Sequence, residues 1–322
     1  DPATTSVARL RDKIARAAAV GLCRVRFFIA ATGANGADVR RAYAEGLAVG
    51  VKFFFSGTTG VASSGGAALL EKVLGATSLP VAIHAEDEGV IRTRMAAIPA
   101  PTDPADFARY HDAVRPVEAA LKAVHACAEA ATRAGRPLHI CHVSSLAEVE
   151  ICERLAPAGS TWEVCPHHAS LSWERPGTLP PAFLKANPPV RDEKTRAALF
   201  GALLEGRVPM LASDHAPHAR VEKQAAEYAR IPSGVPGVEA LPLWLHGLVE
   251  QGLIAPARAA ELGAGAAARR FGLSDLGLVA EGAIADLAVR RYRAPATSYD
   301  MARVRSRAGW SPFEGVPLPP DP

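Results

Sequence analysis

Six short apolar runs, each coupled to an amphipathic stretch, restrict this 322-residue chain to very few folds. Arg24–Ala31 (RVRFFIAA), Gly50–Phe55, Pro80–Glu86, Pro137–Ser144, Thr161–His167 and Val208–Asp214 read as strands. Helical spacing occupies Val7–Val20, Ala37–Leu47, Gly66–Leu74, Val114–Ala134, Leu146–Leu155, Glu193–Glu205 and Val238–Glu250. Short apolar strands alternating with helices predict βα units, a parallel sheet covered by helices and an α/β class. A TIM-type (β/α)8 barrel needs eight such units, and the chain offers six. With 49% hydrophobic residues it can fill a core of that size.

Beyond the last unit the pattern changes. Ala257–Phe271 is Ala-rich and helical, with Pro256 suited to its first turn. Leu278–Arg290 reads as two short strands around a turn at Glu281-Gly282. The Pro-rich stretch from Tyr292 to Pro322 is expected to pack irregularly on the outside. The boundary therefore falls near residue 275, with the barrel in 1–275 and a separate C-terminal unit in 276–322.

Charge and cysteine content narrow the class. Thirty-six basic and 33 acidic residues give a net charge of +3, without a basic run, which argues against a nucleic-acid surface. No 18-residue apolar stretch is present, so no membrane helix is expected. Five cysteines without a CxxC pair fit reduced, buried thiols and a cytoplasmic protein.

The polar residues within the strands carry the chemistry. Residues at the C-terminal ends of parallel barrel strands face the active site. Lys52 lies inside GVKFFF, His84 and His142 near the ends of their strands, and Asp214 ends the last. Singly, each has a plain explanation: a hydrogen-bonded core histidine, a lysine snorkelling to the rim, an aspartate capping a helix. Together, two imidazoles, a carboxylate and a strand lysine at one barrel mouth favour a metal site. Imidazole and carboxylate are usual ligands of catalytic zinc. An ammonium has no lone pair, but a lysine carboxylated by carbon dioxide would bridge two metals.

Several segments resemble the dihydroorotases of the amidohydrolase superfamily: GVKFFFSGTTG (50–60), IHAEDE (83–88), HICHVSS (139–145), EVCPHH (163–168) and ANPPVRDE (186–193). So do SDHAPH (213–218), EKQ (222–224), PSGVPGVE (232–239), AEGAIADL (280–287) and WSPFEG (310–315). The resemblance implies zinc-dependent hydrolysis of a cyclic amide, interconverting dihydroorotate and N-carbamoyl-L-aspartate in pyrimidine biosynthesis. It implies two Zn2+ bridged by carboxylated Lys52 and bound by His84, His142 and Asp214, with Asp214 also moving protons. Asn187, His218, Ser233 and Gly234 match substrate-contacting positions. His167, His168 and Arg115-Pro116 match elements read as structural, and Glu86 and Asp87 are placed to orient His84. A small substrate, a homodimer or homotetramer, and a carbamoyltransferase partner are the expected associations.

The same resemblance implies an HxH ligand pair and an MPN element upstream of residue 1, and no HxH occurs in these residues. The absent segments would be the first two barrel strands and much of a small β-sandwich domain, of which 276–322 is the expected remnant. Such a span alone is expected to be inactive and poorly soluble, because unpaired strand edges invite aggregation. Allantoinase- or hydantoinase-like activity and a non-catalytic partner subunit are the competing readings.

Overall fold

The computed structural model describes residues 2–57, 62–289, 299, 301 and 304–317. Six strands form one parallel sheet in chain order: β1 Phe28–Ala30, β2 Gly50–Phe54, β3 Val81–His84, β4 His139–Ile140, β5 Thr161–Val164 and β6 Met210–Leu211. All six expected strands are present, each shorter than its apolar run. The sheet is part of a (β/α) barrel, with helices covering its outer face. Alternation sorts the side chains of β2: Val51 and Phe53 enter the apolar core, while Lys52 and Phe54 lie toward His84 and Cys141. Register holds the functional strand ends side by side, with Phe54 opposite His84 and Val164 opposite Leu211.

The helices start and stop where local chemistry directs. Ser6 caps Val7–Val20 by accepting from the Arg9 amide, and Gly21 ends it at φ 63°. Ser145 and Asp192 cap Leu146–Leu155 and Glu193–Leu204 in the same way. The helix expected over Val114–Ala134 is instead two, Phe107–Val114 and Val117–Ala134, because Pro116 interrupts the backbone ladder. The second buries Ala119, Ala120, Ala123, Val124 and Cys127 along one face. Those small side chains allow close packing between the helices Ala67–Ala76 and Leu146–Leu155. The Ala-rich segment is helical in three pieces, Pro256–Ala260, a π turn over Glu261–Gly265, and Ala266–Arg270.

Two C-terminal expectations are corrected. Residues 278–289 contain a turn but no strand, and Arg290 lies outside the described residues. Val279 and Val289 are about nine-tenths exposed, with no neighbouring strand to complete a ladder. The sandwich remnant expected in 276–322 is thus not formed among the described residues. The tail is not an external appendage either: Trp310 and Phe313 are fully buried, and Trp310 meets the Phe183 ring edge-on, centroids 4.9 Å apart. Residues 304–317 therefore pack into the barrel's core, with Phe313 and Val316 in the main apolar cluster. No helix among the described residues is long and apolar enough to cross a membrane. Cys127, Cys141, Cys152 and Cys165 are free and buried, and Cys23 is free and exposed.

Candidate active site

The ends of β2 to β6 converge on Lys52. Its Nζ lies 3.0 Å from Cys141 Sγ. Burial lowers its basicity, but Cys141, Asp214 and Glu163 together hold the ammonium above its usual range. The charge of Lys52 is felt in turn at His84, His142 and Asp214.

His84 and His142 come from adjacent strands and are 2% and 4% exposed. His84 Nδ1 faces His142 Nε2 at 3.0 Å. Burial lowers both pKa values, that of His142 far below the ordinary range with His84 and Lys52 adding to the effect. Both rings are therefore neutral at pH 7, and each keeps a lone pair. Two nitrogens bound to one tetrahedral zinc at ~2.0–2.1 Å would stand about 3.3 Å apart, close to what is found here. His142 Nδ1 is buried without a hydrogen-bond partner.

Backbone strain marks the same places. Among the described residues only His142, at φ 40°, and Asp214, at φ 42°, are non-glycine residues with positive φ. Such conformations cost roughly 1–3 kcal/mol and persist where the surroundings impose them, commonly at functional sites. Here they turn the chain sharply just beyond β4 and β6. Desolvation raises the Asp214 carboxyl to about 6, against the pull of Lys52.

Behind His84 stands a buried ion pair. Glu86 Oε2 lies 3.0 Å from His84 Nε2, without the alignment of a hydrogen bond. The same carboxylate receives Arg115 Nε at 3.1 and 3.2 Å and Nη2 at 2.5 Å. Burial favours the neutral acid, but Arg115 and His84 overcome it and hold Glu86 well below the carboxylate range. Arg191 donates to the Arg115 carbonyl at 2.6 Å, to Asp112 at 2.6 Å and to Ser144 Oγ at 3.0 Å. HDAVRP, NPPVRDE and HVSS are thereby tied into one scaffold. Arg115 is more than a bystander, since it fixes the carboxylate that borders His84.

The expected substrate residues assemble on the adjoining loops. Asn187 precedes Pro188 through a cis peptide, and its Oδ1 lies 3.0 Å from His111 Nε2. His111 Nδ1 is 2.6 Å from the Tyr228 hydroxyl. His218 is partly exposed, its carbonyl accepting Trp310 Nε1 at 2.8 Å. The Ser233–Gly234 loop lies against SDHAPH: the Ala216 amide donates to the Val235 carbonyl at 3.0 Å. Gly234 has φ 141°, and a Cβ there would come 2.5 Å from the Ala216 carbonyl, so no other residue fits. His215 Nδ1 accepts the Gly237 and Val238 amides at 3.2 and 3.3 Å, pinning the same loop.

Two other groups have ligand-type atoms within 4.8 Å of one another, Cys165–His167–His168 and His139–Cys141–Glu163. In the second, both His139 nitrogens are engaged, with Thr161 at 2.8 Å and Glu163 at 2.9 Å, which makes it a structural network inside the barrel. In the first, His168 Nε2 is engaged by the Pro188 carbonyl, while both His167 nitrogens lack a partner.

No protein-family model matches the chain. Among curated proteins, the dihydroorotase of Halobacterium salinarum is 38% identical over 242 residues, covering 73% of this chain and 53% of that protein. The dihydroorotase of Methanosarcina mazei is 38% identical over 225 residues, covering 64% and 47%. The chain is a homologue of the dihydroorotases. It spans about half the length of the curated relatives it matches. The homologue's fold is shared with L-hydantoinase from Arthrobacter aurescens, at TM-score 0.83 and 24% identity over 98% of this chain and 71% of that one. The dihydropyrimidinase of Brevibacillus agri aligns at TM-score 0.74 and 21% identity over 91% and 65%.

Lys185, Lys223 and His111 went unassigned at the sequence level, while Glu86 was read as orienting His84 and Arg115 as structural. Signals existed for four of these five residues: IHAEDE contains Glu86, HDAVRP (111–116) contains His111 and Arg115, and EKQ contains Lys223.

Proposed function

We propose that this dihydroorotase homologue provides most of a metal-dependent cyclic-amide hydrolase site, acting on dihydroorotate and N-carbamoyl-L-aspartate in pyrimidine synthesis. The observation that carries this reading is the His84–His142 pair, two neutral buried imidazoles whose ring nitrogens stand 3.0 Å apart, together with the strained Asp214 just beyond β6. Neutral imidazole nitrogens and a carboxylate are the donor set of catalytic zinc, and a carboxylate next to a ligand histidine is its usual support. The donor chemistry here suits a metal: His84 and His142 offer neutral ring nitrogens and Asp214 a carboxylate, and these residues would hold it. Lys52 does not suit one while it is an ammonium; addition of carbon dioxide to Nζ with loss of two protons would give an anionic carbamate, whose two oxygens could serve as metal ligands. No HxH pair of the kind the resemblance implies occurs in these 322 residues.

Zinc held there would acidify water and polarise the ring carbonyl. The chain's residues manage the rest. Asp214 accepts the proton of the attacking water as its oxygen bonds to the ring carbonyl carbon. It returns that proton to the ring nitrogen as the C–N bond breaks, leaving a carbamoyl group and a carboxylic acid that gives its remaining proton to solvent. Asn187, His218 and the Ser233–Gly234 backbone orient the ring. A homodimer or homotetramer, a carbamoyltransferase partner and a cytoplasmic location belong to the same proposal.

The test is a panel of dihydroorotate, allantoin and hydantoin with the full protein, alongside metal analysis. Preferential opening of dihydroorotate with bound zinc is expected. Preference for hydantoin or allantoin would transfer the assignment to those amidohydrolases. A metal-free protein inert on all three would support the non-catalytic reading instead.

A further inference from the structure

Two lysines in the molecule are buried with no carboxylate partner among the described residues. Lys223 is fully buried and Lys185 is 7% exposed. Charged groups are almost never buried unless paired, because leaving water costs several kcal/mol. Their partners are backbone carbonyls. Lys223 Nζ donates to Lys185 O at 2.9 Å, Pro232 O at 2.9 Å and Gly234 O at 3.2 Å. An ammonium has three N–H groups, and all three are used. Lys185 Nζ donates to Tyr228 O at 2.9 Å and Ile231 O at 2.7 Å, and sits 3.9 Å from the Tyr228 ring centroid.

The bonded carbonyls are significant. Pro232 and Gly234 flank Ser233, and Lys185 stands two residues before Asn187. Carbonyl dipoles pointed at a common spot repel one another, and only a donor or cation between them makes the arrangement favourable. The Gly234 amide adds a bond back to Lys185 O at 2.9 Å. Below, the Trp310 ring lies 5.9 Å from Lys223 Nζ and donates to the His218 carbonyl. One ammonium thus meets the supports of Asn187, Ser233–Gly234 and His218.

We infer that Lys223, assisted by Lys185, is a positioning residue of the substrate pocket, holding the Ser233–Gly234 backbone at a fixed distance from the Asn187 segment. The inference rests on the proposed function for the identity of the pocket, but not for the geometry of the lysines. Burial, with Lys185 opposing its charge, pulls Lys223 down to about 7, as expected of an amine whose only partners are carbonyls.

The test compares Lys223→Met and Lys185→Met with wild type in the full protein, by steady-state kinetics on dihydroorotate and by hydrogen exchange. Lys223→Met should raise KM at least tenfold with kcat within threefold. Exchange in 228–237 should accelerate at least tenfold, while the helices 117–134 and 146–155 exchange as in wild type. Lys185→Met should accelerate 228–231 in particular. If Lys223→Met does not fold, Lys223→Gln, with two donors in place of three, takes its place. KM and loop exchange within twofold of wild type would overturn the inference. So would acceleration across the whole barrel with kcat and KM changed alike, the signature of a merely structural residue. If wild type opens no cyclic amide, the functional reading fails, and the exchange comparison still decides whether the lysines hold the loop.

Discussion

Nδ1 of His84 and Nε2 of His142 stand 3.0 Å apart at the ends of adjacent parallel strands, in rings that burial keeps neutral. Register alone brings the strands together; the positive φ of His142 accompanies the bend at which its ring meets His84. Removing either imidazole should remove a proposed metal ligand. His142→Ala is expected to lower bound metal and to reduce turnover by at least about 100-fold, the upper end of what losing an outer support costs. Metal analysis of the purified variant checks it. Wild-type metal content would show that these nitrogens simply share a proton.

The Glu86–Arg115 pair separates orientation from ligation. Arg115→Met leaves a fully buried carboxylate beside His84, and breaking a buried pair in this way costs about 3–5 kcal/mol. Glu86→Gln keeps the shape but removes the charge facing Nε2, and metal affinity should fall about 10–100-fold. Denaturant unfolding and metal titration read the two effects independently.

Asp214→Asn preserves volume at the strained turn and removes the proton carrier. General acid–base contributions of this kind are about 10²–10⁴-fold, so kcat should drop by that range. The circular dichroism spectrum should be unchanged. Near-wild-type turnover would eliminate Asp214 from proton transfer.

The strands and their polar ends were legible because both follow a simple pattern. Apolar runs mark the strands, and the ionisable residues Lys52, His84, His142 and Asp214 interrupt them where a packed core would not accept charge. The conformations of His142 and Asp214 were not legible, since neither residue type demands positive φ. Lys185 and Lys223 were invisible for a related reason: their partners are carbonyls, which every residue has, and Lys223 reaches one 38 positions away. WSPFEG stood out as a motif, yet its place was misjudged. A Pro-rich stretch without periodicity reads as exterior, but Trp310 is buried by the space it fills under Phe183 and His218.

Trp310 therefore gives a direct check on how the tail contributes. Trp310→Ala should cost about 3–5 kcal/mol, the usual price of deleting a buried aromatic ring. It also leaves the His218 carbonyl without its 2.8 Å donor. The expected result is a lower denaturation midpoint together with a raised KM, measured by urea unfolding and kinetics. A tail lying on the outside would change neither.

Lys223 predicts a pH dependence of stability with an unusual sign. Its folded pKa is lowered to about 7 from 10.5, mainly by burial and then by Lys185. The unfolded chain consequently binds more protons between those values, and stability rises with pH wherever that holds. The cost of the buried charge is fully present below pH 7 and is relieved as pH climbs toward 10.5. Lys185, lowered to about 8 by burial and then Arg115, acts in the same direction, and His218 is a titrating group that feels Lys223. Comparison with Lys223→Met isolates the one lysine, because the remaining groups titrate in both proteins. From pH 7 to pH 10 the unfolding free energy of wild type should gain on that of the variant, measured by urea unfolding at half-unit intervals. The loop bonds act in the opposite sense, since a neutral amine has two N–H groups for three carbonyls. Exchange in 228–237, corrected for the intrinsic pH effect, should therefore quicken over the range in which global stability improves. Parallel stability curves for wild type and variant would mean that the ammonium of Lys223 is not buried as described.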